Sequence, residues 1–189
     1  MLTKTEFFNK YLGQKIEYDN VAPYQCIDYI KLYLRKCYGI RPGAWGNAKD
    51  YYYKFNNKNW AGYEEMHKYF KLISGKVIPE RGDIVIFDGE YGHVAISDGV
   101  SDNKYMFLYE QNFASNKFVQ RNKHLYSNML GVLRPKYFTV STPLNIRNTP
   151  SDNGEIIGEY PKYAFVEVYA KSGKWRKTRD GWCYYKYLD

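Results

Sequence analysis

The chain has 189 residues, 44% of them hydrophobic, enough to fill one medium domain and one small one. No apolar stretch exceeds a strand's length and residues 1–8 lack an apolar signal-peptide core, so the sequence predicts no membrane insertion and a chain made in the cytoplasm without a signal peptide. The net charge of +8 divides into 20 basic against 14 acidic side chains over residues 1–138 (+6) and 8 against 6 over residues 139–189 (+2), with no long basic run, which argues against a nucleic-acid-binding protein.

In chain order the first notable group is acidic. Glu17 and Asp19, with Asp28 further on, flank Cys26 and offer carboxylate oxygens that backbone carbonyls near Val21 and Pro23 would complete into a structural calcium site. From Pro23 the apolar positions Ile27, Ile30, Leu34 and Cys37 recur at helical spacing, and Gly39 stands where a C-terminal cap belongs. Pro23 suits the first helical position, so the spacing predicts a helix of about four turns with Cys26 in its first turn. Free N–H groups and the positive dipole end favour a thiolate there. Cys37 continues the apolar stripe without polar company and reads as core, whereas Cys26 has Gln25 beside it and a histidine segment downstream. The two cysteines lie about 16 Å apart along one helix, beyond the roughly 7 Å between Cα atoms that a disulfide needs, and no spacing suggests zinc.

The next segments read as strands. Ile84-Val85-Ile86-Phe87 and Gly92-His93-Val94-Ala95-Ile96-Ser97, joined by a turn-rich loop, form a predicted hairpin. Residues 104–112 follow as a third strand, whose alternation puts Leu108, Glu110 and Asn112 on one face, so that Glu110 and Asn112 both point at His93. A thiolate nucleophile needs a histidine to take its proton and a polar group to hold that histidine in the right tautomer. Cys26, His93 and Glu110 or Asn112 supply those parts. His67 and His124 have no such company and read as surface histidines.

Beyond Pro135 short strands are broken by turns at Asn148-Thr149-Pro150-Ser151, Ser172-Gly173-Lys174 and Arg179-Asp180-Gly181. The pattern predicts a small all-β barrel over residues 139–189 after a first domain of residues 1–138. Cys183, beside Trp182, reads as a structural strand cysteine.

Six segments in order resemble the CHAP domain, the cysteine, histidine-dependent amidohydrolase/peptidase family of bacterial wall hydrolases and phage endolysins. They are Tyr24-Gln25-Cys26-Ile27-Asp28, Trp45-Gly46-Asn47-Ala48-Lys49-Asp50, Gly82-Asp83-Ile84-Val85-Ile86-Phe87, Gly92-His93-Val94-Ala95-Ile96, Glu110-Gln111-Asn112 and Gly131-Val132-Leu133-Arg134-Pro135. The resemblance implies an α+β, papain-like fold that cleaves amide bonds of peptidoglycan, with Cys26 as nucleophile, His93 as base, Glu110 orienting it, Asn112 as a further polar group and Gln25 beside the oxyanion. No cofactor is required for that chemistry. Some CHAP domains carry a calcium site like the one read from Glu17, Asp19 and Asp28, although Glu17 stands where those members tend to have Asp. An NlpC-type cysteine peptidase would share the chemistry, but Glu110-Gln111-Asn112 resembles CHAP more.

Residues 139–189 resemble a bacterial Src-homology-3-like wall-binding domain through Leu144-Asn145-Ile146-Arg147-Asn148-Thr149-Pro150, Gly181-Trp182 and Tyr187-Leu188. The expectation is an endolysin, acting as a monomer on the wall after release from the host cytoplasm, either as N-acetylmuramoyl-L-alanine amidase or as stem or cross-bridge endopeptidase. The alternative is a non-catalytic wall-binding or structural protein with a vestigial cysteine site.

Overall fold

The computed structural model describes all 189 residues, which divide into two compact units: Glu6–Pro135, and Met1–Thr5 together with Lys136–Asp189. No helix is long and apolar enough to cross a membrane.

In the larger unit four helices, α1 (Lys4–Tyr11, its first residues counting with the other unit), α2 (Cys26–Tyr38), α3 (Asp50–Tyr53) and α4 (Tyr63–Tyr69), precede six strands. The strands are β1 (Phe70–Ser74), β2 (Ile84–Phe87), β3 (His93–Ser101), β4 (Met106–Glu110), β5 (Gln120–His124) and β6 (Met129–Pro135). They form one antiparallel sheet in the order β1-β6-β2-β3-β4-β5. β2 and β3 pair as the predicted hairpin, with Phe87 opposite His93. One core cluster gathers Val85, Phe87, Ala95, Met106, Leu108, Met129 and Val132, and α2 packs on β3. Aromatic side chains help fill this unit's interior: Tyr29, Tyr33 and Tyr51 are fully buried, and Phe7 sits 5.2 Å from the rings of both Tyr29 and Tyr33.

Helix α2 starts three residues later than its spacing suggests. Gln25, extended at φ −84° and ψ 161°, is the N-cap and Cys26 the first helical residue, so Pro23 lies outside the helix. At the other end Gly39 takes the left-handed conformation (φ 73°), and its N–H reaches Arg35 O while Ile40 N reaches Leu34 O. These bonds satisfy the last carbonyls as a glycine cap does. Cys37 is buried in the core, as its place on the apolar stripe predicts.

The smaller unit contains β7 (Phe138–Thr139), β8 (Leu144–Arg147), β9 (Ile156–Tyr160), β10 (Phe165–Val166), β11 (Ala170–Ser172), β12 (Trp175–Lys177), β13 (Trp182–Tyr184) and a 3₁₀ turn over Tyr185–Tyr187. No closed barrel forms. β11-β12-β13-β8-β9 make an open five-stranded sheet, while β10 is only two residues long and pairs with β7 instead of joining it. Closure needs a continuous ladder around the ring, and that pairing interrupts it. Val140, Leu144, Val166 and Cys183 form the core, where burial pushes the Cys183 thiol up to about 11 and leaves it an inert strand residue. The start of the chain belongs here too: Lys4 Nζ donates to Asp189 O, and Thr5 N to an Asp189 carboxylate oxygen, both at 2.7 Å.

Candidate active site

Cys26 opens α2, and its backbone N–H, at the first helical position, has no carbonyl within the helix to bond. One turn on, Asp28 Oδ2 accepts the Gln25 N–H at 2.8 Å, a carboxylate set against the positive helix end. His93 opens β3 directly after Gly92, which has φ 73°. A Cβ on Gly92 would lie 2.7 Å from Lys49 N and 2.9 Å from Phe87 O, so only glycine lets Lys49 pass this close to the residue before the histidine.

The three predicted residues come together. His93 Nε2 lies 2.7 Å from Glu110 Oε2, and the Cys26 side chain acts on the same imidazole, favouring its charged form. With Nε2 committed to the carboxylate, Nδ1 is left for the thiol. Burial works against a charged ring, but the hydrogen bonds and charges of Cys26 and Glu110 outweigh it and lift the His93 imidazole from 6.5 to about 9. Glu110 has no solvent exposure. Burial pushes its carboxyl up, but the hydrogen bonds from His124 and His93 win and hold it below the usual carboxylate range.

Asn112 is not hydrogen-bonded to His93. β4 ends at Glu110 and Asn112 turns into the left-handed region (φ 60°), which breaks the strand alternation. Its Nδ2 donates instead to Gln25 Oε1 at 2.6 Å, on the residue before Cys26. The Gln25 N–H is also taken, by Asp28, so it is not a free oxyanion donor.

Glu17, Asp19 and Asp28 converge, with one carboxylate oxygen of each within 4.8 Å of the others. Glu17 Oε1 accepts the Asn20 N–H, Asp19 Oδ1 the Val21 N–H, and Asp19 Oδ2 the Lys31 ammonium. Glu17 Oε2 and Asp28 Oδ1 are buried without any hydrogen-bond partner. Burial first, then the neighbouring Glu17 and Asp19 charges, push the Asp28 carboxyl up to about 6, against the pull of the Gln25 N–H and Lys31.

Residues 17–112, just over half of the chain, match the family model of the CHAP domain. The chain belongs to the CHAP domain family. No curated protein matches it in sequence. Among solved structures, the endolysin LysIME-EF1 aligns at 20% identity with a TM-score of 0.55, covering 94% of this chain and 79% of that one. Ly7917 aligns at 18% identity with a TM-score of 0.50, covering 97% and 92%. At these identities both share the fold.

Two groups around this CHAP site have no signal in the spacing of the motifs. Gln111 is fully buried: its Oε1 accepts Ile16 N at 2.7 Å, and its Nε2 donates to Ile16 O at 2.8 Å and Gln25 O at 3.0 Å, pinning the chain on either side of the acidic loop. His124 is not the solitary surface histidine its sequence context suggests. Its Nε2 lies 2.6 Å from Glu110 Oε1, and Asn122 Nδ2 reaches the same oxygen at 2.8 Å. His67 sits away from this network, with Nδ1 on Tyr63 O and its ring stacked on Phe55.

Proposed function

We propose that the protein, a peptidoglycan hydrolase by its family, cuts an amide bond of the bacterial cell wall by covalent catalysis at Cys26, with His93 as base and acid and Glu110 orienting His93. The observation that carries this reading is the hydrogen bond of His93 to a carboxylate sealed from solvent, with Cys26 acting on the same imidazole. His93 Nδ1 takes the Cys26 proton, and the thiolate attacks the amide carbonyl carbon. The Cys26 N–H, with the Gln25 side-chain amide held through Oε1 by Asn112, stabilises the oxyanion, where losing one donor typically costs about 10²–10³ in rate. His93 then protonates the departing amine as the C–N bond breaks, leaving a thioester. Water, deprotonated by His93, releases the new carboxylate and restores the thiol. The bond is the amide between muramic acid and L-alanine or a peptide bond of the stem or cross-bridge.

The acidic cluster suits a structural calcium ion: calcium takes six to eight oxygens, and Glu17 Oε2 and Asp28 Oδ1 are buried acceptors with nothing to accept from. When bound, the ion would neutralise these carboxylates beside the nucleophile. Asp28 would then cap α2 through Oδ2 and face the ion through Oδ1. For the smaller unit we propose a Src-homology-3-like wall-binding role, supported by its short-strand make-up and a groove of about 660 Å³ bordered by Asn145, Arg147, Trp175, Tyr184 and Tyr187. Holding the larger unit on the wall raises the local substrate concentration.

The test is incubation of wild type and Cys26→Ala with peptidoglycan sacculi, with released fragments identified by mass spectrometry and end-group analysis. Loss of release in the variant supports the cysteine mechanism, and the new end groups distinguish amidase from endopeptidase. Equal binding of both proteins to the sacculi with no fragments from either would replace catalysis by a wall-binding role.

A further inference from the structure

We propose that His124 is a positioning residue of the hydrolytic site: its imidazole fixes the plane of the Glu110 carboxylate so that the opposite oxygen stays aimed at His93. The inference rests on the catalytic reading of Cys26 and His93.

Glu110 divides its two oxygens between two tasks. Oε2 meets His93 Nε2 at 2.7 Å, whereas Oε1 takes both His124 Nε2 at 2.6 Å and Asn122 Nδ2 at 2.8 Å. The terminal torsion of a glutamate is broad, so a carboxylate held at one oxygen alone swings with little penalty. Two donors on the far oxygen remove that freedom.

His124 is itself fixed. Its side chain is 9% exposed, with the Phe87 ring 5.6 Å away and the Phe113 ring 4.6 Å away edge-on. It lies on β5, where Gln120, Asn122 and His124 turn inward while Arg121 and Lys123 stay exposed. β5 therefore lends the site one face made of polar groups, and two of the three are spent on a single carboxylate. The titratable groups facing Glu110 are His93 from β3 and His124 from β5, with Cys26 of α2 beyond His93; Asn122 is uncharged.

A histidine that merely packs in the core would tolerate any residue of similar shape. A positioning histidine needs its donor. Three variants separate the two, assayed on sacculi beside wild type and Cys26→Ala, with folding checked by circular dichroism. His124→Phe keeps an aromatic ring but removes the donor, His124→Gln keeps a donor without the ring, and His124→Ala removes both.

The expected result is a fall of about tenfold in kcat for His124→Phe and His124→Ala with KM little changed, since a misaligned base costs rate more than affinity. Their acid limb should also move to higher pH, because Glu110 loses a hydrogen bond that keeps it ionised. His124→Gln should recover most of the rate and return the acid limb towards that of wild type. Full activity in folded His124→Phe overturns the inference, as does equal loss in all three variants with an unmoved acid limb, which marks a packing role. An inert wild type, or an active Cys26→Ala, overturns the catalytic reading and this inference with it.

Discussion

Replacing Glu110 with glutamine measures how far the His93 imidazolium depends on one carboxylate. The side chain is fully buried and accepts from three donors, namely His93, His124 and Asn122. A glutamine has one acceptor oxygen and one NH₂, so whichever way it turns, at least one donor faces another donor, at a cost of about 1–3 kcal/mol. The rise of His93 from 6.5 to about 9 corresponds to roughly 3 kcal/mol in favour of the imidazolium, supplied by Cys26 and Glu110 against burial. If the two partners share that support evenly, Glu110→Gln removes at least half of it, and His93 falls by a unit or more.

Two readouts follow. The imidazole titration, followed by NMR, should drop to below about 8, and kcat/KM on soluble muropeptide at pH 7 should fall at least about 10²-fold, since the ring loses both its charge partner and its tautomer lock. Stability should change in a defined window. A histidine raised in the folded state adds stability that is complete below 6.5 and is lost as pH rises through about 9, so the wild-type melting temperature should decline across that range and the Glu110→Gln curve should be flatter there. A His93 that still titrates near 9 in the variant would refute the assignment of Glu110 as its partner.

Gly92→Ala should abolish activity while leaving most of the fold, because the new Cβ meets Lys49 N and Phe87 O and must displace His93; near wild-type hydrolysis would contradict this. Gln111→Leu removes two buried hydrogen bonds and one part-buried one and should cost about 2–4 kcal/mol in urea unfolding, with kcat falling as the Gln25 backbone loosens. Calcium at a hundredfold excess over its Kd should add about 2.7 kcal/mol of stability, and Glu17→Gln should weaken that effect. An unchanged melting temperature in wild type would dismiss the calcium reading.

What the sequence discloses divides along physical lines. The stripe of Ile30, Leu34 and Cys37 and the glycine cap at Gly39 are local patterns, and they place α2 to within three residues at its start. His93 and Glu110 sit on strands whose alternation is legible. Asn112 misleads because the alternation argument assumes an extended chain, and the chain leaves the strand after Glu110. β5 has no hydrophobic period at all, since its inward face is Gln120, Asn122 and His124. Nothing local announces a strand whose buried side is polar, and the partner that makes it so, Glu110, is ten residues or more away. The open sheet of the smaller unit escapes for a similar reason, because turns and short strands set the segments but not whether the ladder closes.

The boundary between the two units falls inside α1, between Thr5 and Glu6, and the bonds from Lys4 and Thr5 to Asp189 tie residues 1–5 into the smaller unit. In chain order, the hydrolytic segment is thus an insertion within the other unit rather than its predecessor. A chimaera that exchanges the smaller unit between hydrolases by a single splice near residue 136 would leave those anchors behind. Grafting residues 1–5 together with 136–189 keeps the module whole, and the difference in melting temperature between the one-splice and two-splice hybrids measures what those five residues contribute.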